Sequence, residues 1–190
     1  MQFNKKGFTL IELLVVIAII GILSSIVIVS LSASRAKARD AKRISDIRTI
    51  QLALALYYTD NGMYPKQIYA GSSGSAPDTG LAPTYLPTVP RDPSNNGYYK
   101  YSGFRTSGSA SCTTTNPPIL YHLSATLEGV NAALNDDSDM GTNPSGYSEC
   151  TTSVATPGAQ GNINGTSVAC TSTAGTPQPS GTELCYDQRP

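Results

Sequence analysis

From Phe8 to Leu31 almost every residue is apolar, and Glu12 is the only charge. A helix of that length crosses a bilayer of about 30 Å at 1.5 Å per residue. A helix that is apolar on every side belongs in lipid or in a packed core. A carboxylate at the centre of hydrocarbon costs about 2.5–3.5 kcal/mol on insertion scales, so Glu12 calls for a partner. A removable secretory signal is the competing reading, with Ser32-Ala33-Ser34 as its small-residue cleavage site. Its apolar region would be about 7–15 residues, shorter than this run.

Helical periodicity continues past the apolar run. Ile44, Ile47, Ile50, Leu54 and Tyr57 recur at spacings of three and four and form one apolar stripe. Arg39, Asp40, Lys42, Arg43, Asp46 and Arg48 decorate the other faces. No proline interrupts Phe8 to Asn61, and Gly21 is the only glycine there. Asn61-Gly62 followed by Pro65 predicts the stop, with Gly62 as a left-handed cap. The spacing therefore predicts one helix whose first half is apolar all round and whose second half packs on a sheet.

Beyond the helix the composition changes. Residues 62–82 are rich in Gly, Ser and Pro and read as a linker. The prolines of Leu81 to Pro93 favour an extended path. Asn95-Asn96-Gly97 is a turn signal, and Tyr98 to Tyr101 a short strand. The clearest strand is Ile119 to Leu127, with Ile119, Tyr121, Leu123, Ala125 and Leu127 on one face and His122, Ser124, Thr126 and Glu128 on the other. A third strand is expected near Glu183 to Tyr186, and Asn143 to Ser180 reads as a long surface loop. The part beyond the helix has no Trp, so its core is expected to be rich in Tyr, Leu and Ile.

Four cysteines, Cys112, Cys150, Cys170 and Cys185, all lie far beyond the apolar run. No C-x-x-C pair occurs, and His122 is the only histidine, which argues against zinc. An even cysteine count in a loop-rich exported region favours two disulfides. Of the three connectivities, Cys112–Cys150 with Cys170–Cys185 closes neighbouring loops and is preferred. Lys5 and Lys6 precede the span, and Arg35, Lys37, Arg39, Lys42 and Arg43 follow it. Counting positive charges would leave the C-terminal part in the cytoplasm, whereas the cysteines place it outside. The basic cluster is expected to meet lipid head groups or neighbouring subunits.

Enzyme chemistry has no constellation here. There is no Gly-rich phosphate loop and no credible carboxylate pair. His122 reads as a solvated or hydrogen-bonded histidine rather than a catalytic one. Asp136, Asp137 and Asp139 form the one acidic cluster. Its first reading is a solvated loop, and its alternative is a calcium site built from oxygen ligands. No other cofactor is implied. Asn164-Gly165-Thr166 matches a glycosylation acceptor, a short pattern frequent by chance. Net charge is zero, so no field attracts nucleic acid and none is required as a partner.

The stretch Lys5-Lys6-Gly7-Phe8-Thr9-Leu10-Ile11-Glu12 resembles the class III leader of type IV pilins and pseudopilins. Asp60-Asn61-Gly62 with Tyr64-Pro65, Tyr85-Leu86-Pro87, Pro90 to Pro93 and Tyr98 to Tyr101 resemble the major pseudopilins of type II secretion. The similarity covers roughly the first half of the chain and fades beyond Cys112. The family's glycine-rich calcium loop has no counterpart. Many pilins pair a glycine such as Gly21 with a downstream proline, whereas Val29 stands at that place here.

The resemblance implies an α+β, pilin-like fold: a long N-terminal transmembrane-plus-amphipathic helix on a small antiparallel sheet. The expected divisions are leader 1–7, filament-core helix 8–31, amphipathic helix 32–61 and β-rich head 62–190. A prepilin peptidase would cut between Gly7 and Phe8 and N-methylate Phe8. Glu12 would then pair with the Phe8 amine of a neighbouring subunit and set the register of a filament. The implied partners are other copies of the chain, the membrane, the peptidase, and an inner-membrane assembly platform with a cytoplasmic ATPase. The expected location is the bacterial cytoplasmic membrane, in a single pass with an exported head, and then an extracellular or periplasmic filament. A monomeric, membrane-anchored binding module is the alternative from another class.

Overall fold

The computed structural model describes residues 9–69, 80–106, 112, 117–135, 147–150 and 185–190, with the side chains of 26–30, 135 and 149 outside the description. Two compact units emerge, Met1–Ala38 and Arg39–Pro190. One α-helix, α1, runs Leu10–Asn61.

In the first unit nothing in the sequence breaks the helix, and its described large apolar side chains are exposed. Leu10, Ile11, Leu13, Ile17 and Ile22 are all more than 60% exposed. A glycine in a helix costs about 1 kcal/mol relative to alanine. At Gly21 that cost has no packing reason within the described chain, since a Cβ there would meet nothing within 4 Å.

The second unit is an α+β head. Its strands among the described residues are β1 (Lys100–Thr106), β2 (Leu120–Thr126), β3 (Tyr147–Glu149) and β4 (Cys185–Gln188). They form one antiparallel sheet in the order β3-β1-β2-β4. The stripe of α1 meets one face of this sheet. Ile47, Ile50, Ala53 and Leu54 are buried with Tyr99, Tyr101, Tyr121, Leu123, Ala125 and Tyr186, while Ile44 and Tyr57 lie at the margin. Tyrosines suit this core because their hydroxyls find acceptors at its edge. Tyr101 donates to the Pro65 carbonyl at 2.6 Å and Tyr69 to the Pro90 carbonyl at 2.8 Å.

The helix stops as its residues dictate. Gly62 has φ +68°, and its N–H donates to the Tyr58 carbonyl at 2.8 Å. The Asn95-Asn96-Gly97 turn closes through Asp92 N–H to the Gly97 carbonyl and Asn96 N–H to the Asp92 carbonyl, both 2.9 Å.

Four expectations need correction. The strand anticipated at Tyr98 begins at Lys100, because Tyr98 and Tyr99 are held by loop partners: Tyr98 lies beneath Arg91, and Tyr99 N–H donates to the Tyr69 hydroxyl. The extended path expected from Leu81 opens with a turn, Tyr85 N–H donating to the Leu81 carbonyl at 2.9 Å. Pro83 sits early in that turn, where its missing N–H is not needed. Residues 147–149, read as loop, form β3, which no local pattern announces because its pairing with β1 is long-range. Finally, β2 is buried on both faces rather than one. It is a central strand, and its polar face is closed alongside Ser102 and Phe104 of β1 and Asp187 of β4, all buried.

Candidate assembly site

The first turn of α1 carries a reciprocal pairing between Thr9 and Glu12. Thr9 N–H donates to Glu12 Oε2 at 2.8 Å, and the Thr9 hydroxyl donates to the same oxygen at 2.7 Å. Glu12 N–H in turn donates to Thr9 Oγ1 at 3.3 Å. This is a capping box, which satisfies helix-end donors that have no partner inside the helix. The Thr-x-x-Glu spacing in the sequence signals it, although the sequence reading took Glu12 alone. Gly7 and Phe8, the expected cleavage and methylation residues, lie outside the described residues.

Around this carboxylate the stem displays apolar side chains on every face. Leu14, Val15, Val16, Ile19, Ile20 and Leu23 are each about half exposed. Ser25 does not break the apolar surface, since its hydroxyl is spent on the Ile22 carbonyl at 2.7 Å. Among the described residues no helix is long and apolar enough to cross a membrane; the side chains of 26–30 are not among them.

Of the basic cluster expected to meet lipid or neighbours, Arg35, Lys37 and Lys42 are exposed, whereas Arg43 is turned into the head. Asp40, Arg43 and Asp46 are buried. Arg43 is the hub. Its NH1 donates to Asp40 Oδ1 at 2.7 Å and lies 2.8 Å from Glu128 Oε1. Its Nε and NH2 form a fork on Asp92 at 2.6 and 3.0 Å, and NH2 also reaches Ser94 Oγ at 2.9 Å. Arg39 Nε adds a bond to Glu128 Oε1 at 2.7 Å. Asp40 also accepts the backbone N–H groups of Glu128 and Gly129 at 2.9 and 3.1 Å, which ties α1 to the end of β2. Asp46 takes the Tyr99 hydroxyl at 2.8 Å and Lys42 Nζ at 2.6 Å.

These contacts set the titration of the acids. Hydrogen bonding from Arg39, with help from Arg43, holds the Glu128 carboxyl down to about 2. Burial works to raise the Asp92 carboxyl, but hydrogen bonds from Arg43 and Ser94 outweigh it and leave it well below the usual carboxylate range. The hydrogen bond to Asp92 is also the main reason the Arg43 guanidinium is held even more firmly protonated than usual.

His122 is fully buried and pairs through Nε2 with Asp187 Oδ2. The solvated reading of this histidine is thereby excluded and the hydrogen-bonded one retained. Ser124 lies across from Asp187 in the β2–β4 register, but its hydroxyl has no hydrogen-bond partner among the described residues. The three side chains are sealed from solvent, so a substrate has no approach to them.

A disulfide joins Cys112 and Cys150, with Cα atoms 5.1 Å apart. Cys150 N–H donates to the Gly103 carbonyl at 2.8 Å, so the bridge lies against β1 at the β3 edge. A Cβ on Gly103 would sit 3.0 Å from the Pro118 ring, which explains a glycine in mid-strand. Cys185 is disulfide-bonded, and Cys170 lies outside the described residues. Asp136, Asp137 and Asp139 lie outside them too; among the described residues no group of three or more His, Cys, Asp or Glu is placed to hold a metal ion.

A family model described as the prokaryotic N-terminal methylation motif matches residues 2–28. A second, described as type II secretion system protein G, matches residues 29–111. The type II secretion system core protein G of Aeromonas hydrophila is 37% identical over 110 residues, covering 52% of this chain and 74% of that protein. The core protein G of Pseudomonas aeruginosa is 31% identical over 145 residues, covering 73% of this chain and 94% of that protein. That of Escherichia coli is 37% identical over 103 residues, covering 50% and 70%. No solved structure matches.

Proposed function

This chain belongs to the type II secretion system protein G family, and from that premise we propose how it performs the family's structural role, as a subunit that polymerises through its N-terminal helix. It is a pseudopilus structural subunit, and the family is structural rather than enzymatic. The observation that carries the mechanism is the stem. Its apolar side chains are exposed on all faces, and its one carboxylate is organised at the first turn. Such a surface is stable only in lipid or against other apolar helices.

The apolar run holds the chain in the cytoplasmic membrane in a single pass, with the cysteine-bearing head exported. A prepilin peptidase cuts between Gly7 and Phe8 and methylates the new amine. Subunits then leave the membrane for a filament in which Glu12 of one copy meets the Phe8 ammonium of another. Pairing recovers part of the cost of a buried carboxylate, which favours one axial register. An assembly platform with a cytoplasmic ATPase supplies the work.

Mass spectrometry of the mature N-terminus tests this reading directly. A chain beginning at methylated Phe8 is expected. A chain beginning near Ser34 would defeat it, and an uncut one that stays monomeric would establish the membrane-anchored binding module instead. Deletion of the gene, with secretion and surface filaments both assayed, separates a secretion pseudopilus from a surface pilus; loss of secretion is expected.

A further inference from the structure

We propose that Thr9 is the positioning residue for Glu12: it holds the carboxylate by one oxygen and presents the other to the ammonium that pairs with it. The proposal rests on the reading of Glu12 as the assembly carboxylate and extends it to a residue to which the sequence reading assigned no role.

Both Thr9 donors, the backbone N–H and the hydroxyl, converge on Oε2 at 2.8 and 2.7 Å. The hydroxyl oxygen is itself engaged by Glu12 N–H at 3.3 Å. With one lone pair so occupied, the hydroxyl proton is directed at the carboxylate rather than back at the helix. No described residue donates to Oε1. A free glutamate has several rotamers, and in lipid no water would hold it in one. Thr9 lays it back over the first turn, toward the end of the stem where cleavage behind Gly7 would create the Phe8 amine. Ser25 makes the contrast, because its hydroxyl serves only the helix backbone.

The helix-end role and the positioning role are separable. Glycine caps a helix nearly as well as threonine does but brings no hydroxyl, whereas serine keeps the hydroxyl. The full chain, expressed with its assembly machinery, is compared as wild type, Thr9→Ser, Thr9→Gly and Glu12→Val. Three readouts are taken: N-terminal cleavage, filament yield, and the carboxyl 13C resonance of Glu12 in bilayers. Thr9→Gly is expected to be cleaved normally, to shift the resonance, and to lower filament yield about tenfold, the scale of one lost bond to a charged group. Thr9→Ser is expected to keep both the resonance and the yield, within about twofold of wild type. Filament yield from Thr9→Gly within that range overturns the proposal, as does a Thr9→Ser chain as defective as Thr9→Gly. A cleavage block in Thr9→Gly also overturns it, by placing Thr9 in peptidase recognition. Normal filaments from Glu12→Val defeat the underlying reading of Glu12, whereas defective Glu12→Val beside normal Thr9→Gly defeats only the role of Thr9.

Discussion

The stem and the head treat charge and apolar surface in opposite ways. The stem exposes its described leucines and isoleucines and pairs its single carboxylate with a residue three positions away. The head buries Tyr99, Tyr101 and Tyr121 with Ile47, Ile50 and Ile68, and it joins Asp40, Arg43, Asp92 and Glu128 across 88 residues of sequence. The head's ionic hub is therefore satisfied within one chain. The stem's surface is written for something outside it. Substitutions in the head should be felt as stability and substitutions in the stem as assembly.

Arg43→Ala should break this division most visibly. It leaves Asp40, almost wholly buried, without its cation. Removing one partner of a buried pair costs about 3–5 kcal/mol. For a unit of this size that lowers the head's Tm by about 10 °C, measured by calorimetry on the full chain in detergent. Arg43→Lys should recover only part of the loss, since an ammonium cannot make the fork on Asp92. In the same assay Glu12→Val should leave the head's melting unchanged. A drop comparable to that of Arg43→Ala would mean that stem and head do not fold independently.

Replacing Cys112 and Cys150 together by serine comes next. The bridge spans 38 residues and pins β3 beside β1. Its loss should cost about 2–4 kcal/mol, in part by releasing the unfolded chain. Urea midpoints with and without the bridge check this. An unchanged midpoint would mean that the short pairing of β3 with β1 holds the edge alone.

The comparison also shows what a sequence can reveal. The core stripe of α1, its stop at Gly62 and the strand around Leu123 were legible, because each rests on local spacing or on one backbone requirement. Strand β3 was not, since three residues carry too little pattern and their partners lie some 40 residues away. Asp40, Arg43 and Asp46 were read as surface because residue type reports charge but not the distant groups that neutralise it. The head's ionic hub was hidden for that reason. At Glu12 the reverse holds: its Thr9 partner stands at a spacing of three, the local signature of a capping box.

Acid should loosen the head gradually. Glu128 and Asp92 have folded values below their unfolded ones, near 2 for Glu128. Their contribution is fully present above the unfolded carboxylate range, about pH 4, and is lost as pH falls through the folded values. Arg39 and Arg43 stay protonated throughout. The head's Tm should therefore decline between about pH 4 and pH 2, and Asp92→Asn should flatten that decline while lowering Tm at neutral pH. A profile equally steep in Asp92→Asn would move the acid sensitivity elsewhere.

The smallest effect is expected where the head most resembles the stem. Residues 49–59 carry no charge at all, and within them Leu52 is 66% and Leu56 50% exposed on α1. The core residues of the same stretch, Ile50, Ala53 and Leu54, face the sheet, so Leu52 and Leu56 lie on the other side of the helix. Exposed apolar side chains contribute little to a monomer's stability, and changing them moves it by no more than about 0.5 kcal/mol. Leu52→Ser with Leu56→Ser should therefore leave the urea midpoint nearly where it was, while Ile50→Ala, on the opposite face and fully buried, should lose about 2–5 kcal/mol. If the double serine variant loses as much as Ile50→Ala, these leucines belong to the head's own core. The stretch would then be no outward extension of the stem's surface, and the contrast between the two units would begin exactly at the unit boundary.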